Sequence, residues 1–210
     1  MQLEPQPTDV LIVIDMQRDF LPDTPEHHGA LAVAGGDEII PGIHALAARF
    51  AHVVLTQDWH PRGHISFAST YQLEPFTATI DAPYGKQSLW PDHCVQGTPG
   101  ADIDPRLDIT HAELLLRKGF RQEIDSYSAF LENDHMTPTG LAGYLNERQL
   151  QRLFFVGLAF DFCVGSSAVD AVKLGFEAVV IDDLTRDVGI PGSVEAMNDK
   201  LATAGVRRLR

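Results

Sequence analysis

Cysteine is scarce in this chain: among 210 residues there are two, Cys94 and Cys163, in no CxxC or zinc-finger spacing. That excludes a disulfide scaffold and leaves each sulfur to be judged as a thiol. No apolar run approaches the ~18 residues of a membrane span. The N-terminal stretch Met1 to Pro7 has no basic segment of the kind that opens a secretory leader, so a cytoplasmic location is expected. Positive charge is also short: 16 Lys and Arg stand against 29 Asp and Glu, a net charge of −13. Nucleic acid and anionic membrane surfaces would be repelled, and a small neutral or cationic ligand fits better. Also missing are G-x-G-x-x-G after a strand, a Walker loop and a G-x-S-x-G elbow, which weighs against dinucleotide oxidoreductases, P-loop NTPases and serine hydrolases. The chain has no internal repeat and no low-complexity segment.

What is present is an ordinary globular composition, 44% hydrophobic and 21% charged. At this length roughly 70–75% of the unfolded surface can be buried, so one domain spanning 1–210 is expected. Short β-branched runs recur at Val10–Ile14, Val53–Thr56, Leu114–Leu116, Leu153–Val156 and Ala178–Ile181. Continuous apolar runs with room for crossovers between them are what parallel strands buried on both faces require. The expected fold class is α/β: a doubly wound, mainly parallel sheet with helices on both faces. Helices are expected from an Asp37 cap through Phe50 with Pro41 in the first turn, from Thr139 or Gly140 through Leu150, from near Cys163 to Gly175, and after Pro191-Gly192-Ser193. The stretch from Pro61 to Pro105 has no strong period and is too long for a casual connector; such insertions usually line sites.

In an open parallel sheet, ligands bind beyond the carboxyl ends of the strands. The residues there are chemical: Asp15 after the first run, Asp58-Trp59-His60 after the second, Arg117-Lys118 after the third, and Gly157 through Cys163 after the fourth. A thiol at a helix start meets unpaired backbone N–H groups and the positive end of the dipole, which favours thiolate, so Cys163 is a candidate nucleophile. A buried core cysteine is the alternative. Asp15 ends an otherwise apolar run and must find a partner or shift its pKa, which is how a general base is made. Lys118 could pair with it and lower the thiol pKa, although a lone lysine is more often solvated. Asp58 and His60 offer an oxygen and a nitrogen ligand on one side of an extended chain, with His64 and His93 as candidate third ligands. With nine histidines in the chain, that spacing alone is a weak signal. His27-His28 reads as a solvated loop or pocket lid.

Taken together, these segments resemble the isochorismatase-like cysteine hydrolases, and within them the metal-binding nicotinamidase branch. The resemblance rests on Ile14-Asp15-Met16-Gln17-Arg18-Asp19-Phe20, Ala34-Gly35-Gly36-Asp37, Asp58-Trp59-His60-Pro61 with His64-Ile65-Ser66-Phe67, Leu89 through Ala101, Lys118-Gly119, Asp125 through Phe130, and Gly157 through Val164. It implies the isochorismatase-like hydrolase fold, a catalytic triad of Asp15, Lys118 and Cys163, and one divalent metal, zinc foremost with iron or manganese as alternatives, on Asp58, His60 and His93. His64 would be a further ligand. It also implies an oxyanion hole from the backbone N–H groups of Ala159 and Cys163 beside a cis Leu158-Ala159 bond, and ring-binding walls at Phe20 and Trp90 with Tyr127 a lesser candidate. The implied activity is hydrolysis of nicotinamide to nicotinate and ammonia through a cysteine acyl-thioester, in NAD salvage, with close analogues such as pyrazinamide also accepted. The alternatives are a relative acting on a carbamoyl or ureido amide or an enol ether, and a catalytically silent binding protein that kept the fold. The expected partner is the small-molecule substrate, with neither nucleic acid nor membrane, and a homo-oligomer is left open. Two positions depart from the family pattern: Arg18 where Asn is frequent, and Phe160 where a small Thr is frequent. Phe160 is expected to narrow or reshape the pocket. Cys94 is expected to be a packing thiol.

Overall fold

The computed structural model describes residues 4–210; of the N-terminal stretch read above, residues 1–3 lie outside the described residues. In chain order the elements are β1 (Asp9–Ile14), α1 (Ile40–Ala47), β2 (His52–Asp58), β3 (Thr79–Ala82), β4 (Gly85–Ser88), β5 (Leu114–Lys118), α2 (Leu141–Glu147), β6 (Arg152–Leu158), α3 (Gly165–Lys173), β7 (Glu177–Arg186), α4 (Ser193–Ala204) and β8 (Arg207–Leu209). Six strands form one sheet in the order β5-β2-β1-β6-β7-β8, and every neighbouring pair is parallel. Successive side chains of a strand point to opposite faces. Leu11 and Val13 accordingly pack with Ile40, Ile43 and Ala47 of α1 on one face. Val10, Ile12 and Ile14 pack with Leu141 and Leu145 of α2, Ala168 of α3, and Met197 and Leu201 of α4 on the other. The sheet is therefore doubly wound, as the apolar runs required. Each fully buried Leu, Ile or Val contributes on the order of 1.5–3 kcal/mol.

The differences from expectation have local causes. β5 is an edge strand with alternating exposure, and Leu115 is 46% exposed, so it is not buried on both faces. The antiparallel β3–β4 hairpin and the short β8 are polar and largely exposed, and carry no apolar run to mark them. Pro41 does lie in the first turn of α1, but Ile39 precedes the helix and no side chain caps it, so Asp37 does not. α2 starts after Gly140, and its first N–H, from Leu141, bonds Thr139 Oγ1 at 3.2 Å. The helix ends at Glu147, short of Leu150. β6 can lie close to β1 because Gly157 has no side chain: a Cβ there would meet the Ile14 carbonyl oxygen at 2.1 Å, and its φ of +104° suits glycine. No helix among the described residues is long and apolar enough to cross a membrane.

Candidate active site

The carboxyl ends of β1, β2, β5 and β6 converge. Asp15 follows β1 in a left-handed backbone conformation (φ +47°), which asparagine and aspartate tolerate better than most residues. Asp58 and Lys118 end β2 and β5 and are register partners. Lys118 is fully buried, which removes the solvated reading. Its Nζ lies 2.9 Å from Asp15 Oδ2, 2.5 Å from Asp58 Oδ1, 2.9 Å from the Ser126 carbonyl and 3.5 Å from Cys163 Sγ. A buried ammonium is costly unless it is paired, and two carboxylates and a carbonyl surround this one. Burial pulls the Lys118 pKa down, but Asp15 and Asp58 more than reverse this, and it stays charged.

Burial pushes the Asp15 carboxyl up to about 6, against the opposing pull of Lys118. Burial also pushes Asp58 up, but Lys118 and then His60 outweigh it and hold Asp58 well below the usual carboxylate range. One acid is thus poised to exchange a proton and its neighbour is fixed as an anion. Cys163 corrects the sequence expectation of a ready thiolate. Burial pushes its thiol well above the ordinary value, with Asp15 and Asp58 adding to the effect and Lys118 opposing it. The sulfur is a thiol in need of a base. A carboxylate oxygen of Asp15 lies within 4.8 Å of it. Asp15 Oδ2 meets the Lys118 ammonium at 2.9 Å, so the same carboxylate touches both the cation and the thiol. The backbone around Cys163 also differs from expectation: residues Phe160–Val164 form a π-helical turn that leads into α3, with the Phe162 and Val164 N–H groups on the Ala159 carbonyl. The cis bond between Leu158 and Ala159 is present.

Asp58, His60 and His93 form a buried group whose ligand atoms lie within 4.8 Å of one another. Nδ1 of His60 is 2.8 Å from the Gly119 carbonyl, and Nδ1 of His93 is 2.8 Å from the Pro91 carbonyl. A carbonyl only accepts, so each Nδ1 carries a proton and Nε2 is the atom each ring turns to a metal, the arrangement that second partners impose on metal-binding imidazoles. Gly119 makes room for this, because a Cβ there would come within 2.4 Å of the His60 ring. Burial and the neighbouring His60 hold His93 down at about 4, so it is neutral. Burial lowers His60, but Asp58 outweighs it and raises the ring, so a cation bound there would displace a proton. The donor set fits a divalent ion of the zinc, iron or manganese kind. His64 stacks on His60 with ring centroids 4.2 Å apart, and its ring nitrogens face Ser66 Oγ and the Ile124 carbonyl. It groups with His60 and Asp125, outside the Asp58, His60 and His93 set.

One cavity touches both clusters. It is lined by Cys163, Ala159, Asp58, His60 and His93, and its apolar wall includes Phe20 and Trp90. Tyr127 lines it too, accepting a hydrogen bond from Trp90 Nε1 at 3.2 Å. Sequence reasoning missed Leu31, Asp125, Phe162 and Val188. Phe162 stands edge-on to Trp90 with centroids 4.8 Å apart. Adjacency to Cys163 could have flagged Phe162, whereas nothing in the local sequence marks Leu31 or Val188. Phe160 corrects a second expectation: it packs in the core with Met197 and Leu201, beneath Arg208, and does not line the cavity. Arg18 borders a separate surface cavity with His27, Asp104 and Arg106. His27 is held by Asp19 at 3.1 Å, and His28 is an exposed partner of Asp23. Cys94 is a buried thiol in the core, as expected.

A doubly wound parallel sheet with thiol, acid and lysine gathered at the carboxyl ends of its strands defines an α/β domain with a candidate hydrolase site there. More particularly, the chain belongs to the isochorismatase family, whose domain model matches residues 9–207. It is 50% identical over 200 residues to a nicotinamidase of Acinetobacter baylyi, covering 95% of this chain and 91% of that one. A solved nicotinamidase/pyrazinamidase of Acinetobacter baumanii superposes with a TM-score of 0.93 at 48% identity, covering 98% of this chain and 97% of that one. A Pyrococcus horikoshii pyrazinamidase solved in complex with zinc superposes with a TM-score of 0.77 at 31% identity, covering 97% and 99%.

Proposed function

We propose that this protein hydrolyses nicotinamide to nicotinate and ammonia, with Asp15, Lys118 and Cys163 as the catalytic residues. The observation that carries the reading is one aromatic-walled cavity lined both by Cys163, the thiol of a buried thiol–acid–lysine cluster, and by the two-histidine, one-carboxylate ligand set. The similarity to nicotinamidases over nearly the whole chain supports the substrate.

A carboxylate oxygen of Asp15 takes the Cys163 thiol proton as Sγ attacks the carboxamide carbon; an acid with a pKa of about 6 can accept and return a proton near neutral pH. Because the thiol resists ionisation on its own, proton removal accompanies attack. The backbone N–H groups of Ala159 and Cys163 face the developing oxyanion, and the buried Lys118 charge steadies the Asp15 carboxylate between steps. The tetrahedral species collapses as Asp15 passes its proton to the departing nitrogen, which releases ammonia and leaves a thioester on Cys163. Water, deprotonated by Asp15, then attacks that thioester; nicotinate leaves and the sulfur regains the proton. Asp58, His60 and His93 would hold a divalent ion, zinc in this reading, which supplies a Lewis-acid anchor for the pyridine nitrogen. Phe20 and Trp90 flank the ring, which also suits pyrazinamide. Two unpaired thiols accord with a cytoplasmic setting.

The test is nicotinate and ammonia release from nicotinamide, run in parallel with N-carbamoyl and ureido amides. Turnover of nicotinamide that stops on chelation is expected. Turnover of the ureido or carbamoyl substrates alone would overturn the assignment.

A further inference from the structure

Asp15 works only if one oxygen stays turned toward the sulfur, yet a carboxylate is a weak keeper of its own direction. Its terminal torsion joins an sp³ to an sp² carbon and is broad, so the plane of the carboxylate turns at little cost unless something holds it. Here it is held from two sides. Thr56 Oγ1 donates to Asp15 Oδ1 at 2.6 Å and accepts the Asp15 backbone N–H at 3.1 Å. Oδ2 lies 2.9 Å from Lys118 Nζ.

The origin of this clamp is in the sheet. The β1–β2 register runs to Val13 opposite Leu55, and the next residue of β2 is Thr56. Beyond that point β1 turns into the left-handed conformation at Asp15, and the two chains exchange side chains where a ladder would otherwise continue. Gln17 reciprocates: its Nε2 donates to the Asp58 carbonyl at 2.8 Å and its Oε1 accepts the Asp58 N–H at 2.7 Å. Thr56 is fully buried, and a hydroxyl there costs stability unless it is bonded. Valine would fill the same strand position without that obligation.

We propose that Thr56 is a positioning residue that holds the plane of the Asp15 carboxylate so that one oxygen stays turned toward Cys163. This rests on the reading of Asp15 as the base for Cys163.

The experiment compares zinc-loaded wild type, Thr56→Val and Thr56→Ser as full-length chains. The readouts are kcat and KM on nicotinamide, zinc content, and the rate at which iodoacetamide alkylates Cys163, followed by peptide mass. Thr56→Val is expected to lose about 10- to 100-fold in kcat, the scale of a misoriented reacting group. KM and zinc content stay put, Cys163 alkylation slows, and Thr56→Ser restores both rates. Wild-type kcat and alkylation in Thr56→Val would overturn the proposal, as would a Thr56→Ser impaired as deeply as Thr56→Val, since the methyl group and not the hydroxyl would then matter. Should Thr56→Val fail to fold, Thr56→Ala takes its place against Thr56→Ser. If wild type leaves nicotinamide intact, the functional reading falls. The alkylation rates then decide alone: slowed in Thr56→Val and restored in Thr56→Ser sustains the clamp, and unchanged in Thr56→Val ends it.

Discussion

The interiors of the central strands and their carboxyl ends are equally buried but made of opposite materials. Val10 through Ile14 and Leu153 through Val156 are apolar and no more than 2% exposed; Asp15, Asp58, Lys118 and Cys163, at the ends of the same sheet, are no more than 6% exposed and carry charge or a reactive sulfur. The interior gains stability from each residue it hides. The ends hide groups that prefer water and hold them with a few directed contacts, so stability from the first region supports reactivity in the second.

The comparison is sharpest at Cys163. Cys163→Ala is expected to abolish turnover, by about 10⁴-fold or more, while the thermal midpoint stays close to wild type; ammonia release and a melting curve check it. Lys118→Met leaves Asp15 and Asp58 buried together without their cation. It should stop turnover and cost about 3–5 kcal/mol in urea unfolding. Leu11→Ala, in the strand interior, should cost a comparable ~2–5 kcal/mol yet leave kcat per folded molecule unchanged. Equal damage to kcat in both variants would break the comparison.

Dialysis against a chelator should remove most activity, with zinc restoring it; full activity at zero metal content would remove Asp58, His60 and His93 from the account. The pH dependence follows from Asp15. Below about 6 the carboxyl is protonated and cannot accept the thiol proton. kcat/KM should therefore rise as pH increases through about 6, losing about tenfold per unit below it. A profile flat through that range would assign the base elsewhere. The smallest effect on catalysis is expected at Phe160, which packs in the core: Phe160→Thr should lower stability by roughly 3 kcal/mol with KM for nicotinamide unchanged.

The strands were legible because uninterrupted apolar runs have one economical placement in an α/β chain, and the site was legible because chemical residues followed those runs directly. The rule that ligands meet the carboxyl ends singled out Asp15, Asp58 and Lys118 as candidates, and the family resemblance then gave each a role. Other features depend on long-range packing. Leu31 and Val188 reach the cavity from loops with no local mark, and the direction of Phe160 was fixed by α4 and not by its neighbours in sequence. The protonation of Cys163 was misread because a helix start and a lysine argue for thiolate, whereas complete burial beside two carboxylates argues more strongly against it. Thr56 looked like any strand former until its hydroxyl was found on Asp15.

The central claim is that this buried thiol carries the acyl group between two proton transfers. Rapid quenching of zinc-loaded enzyme with nicotinamide, followed by intact and peptide mass measurement, tests it directly. One nicotinoyl group is expected on Cys163, absent in Cys163→Ala and lost on further incubation as nicotinate appears. Nicotinate formed by Cys163→Ala at the wild-type rate, with no acylated Cys163 at any time in wild type, would contradict it.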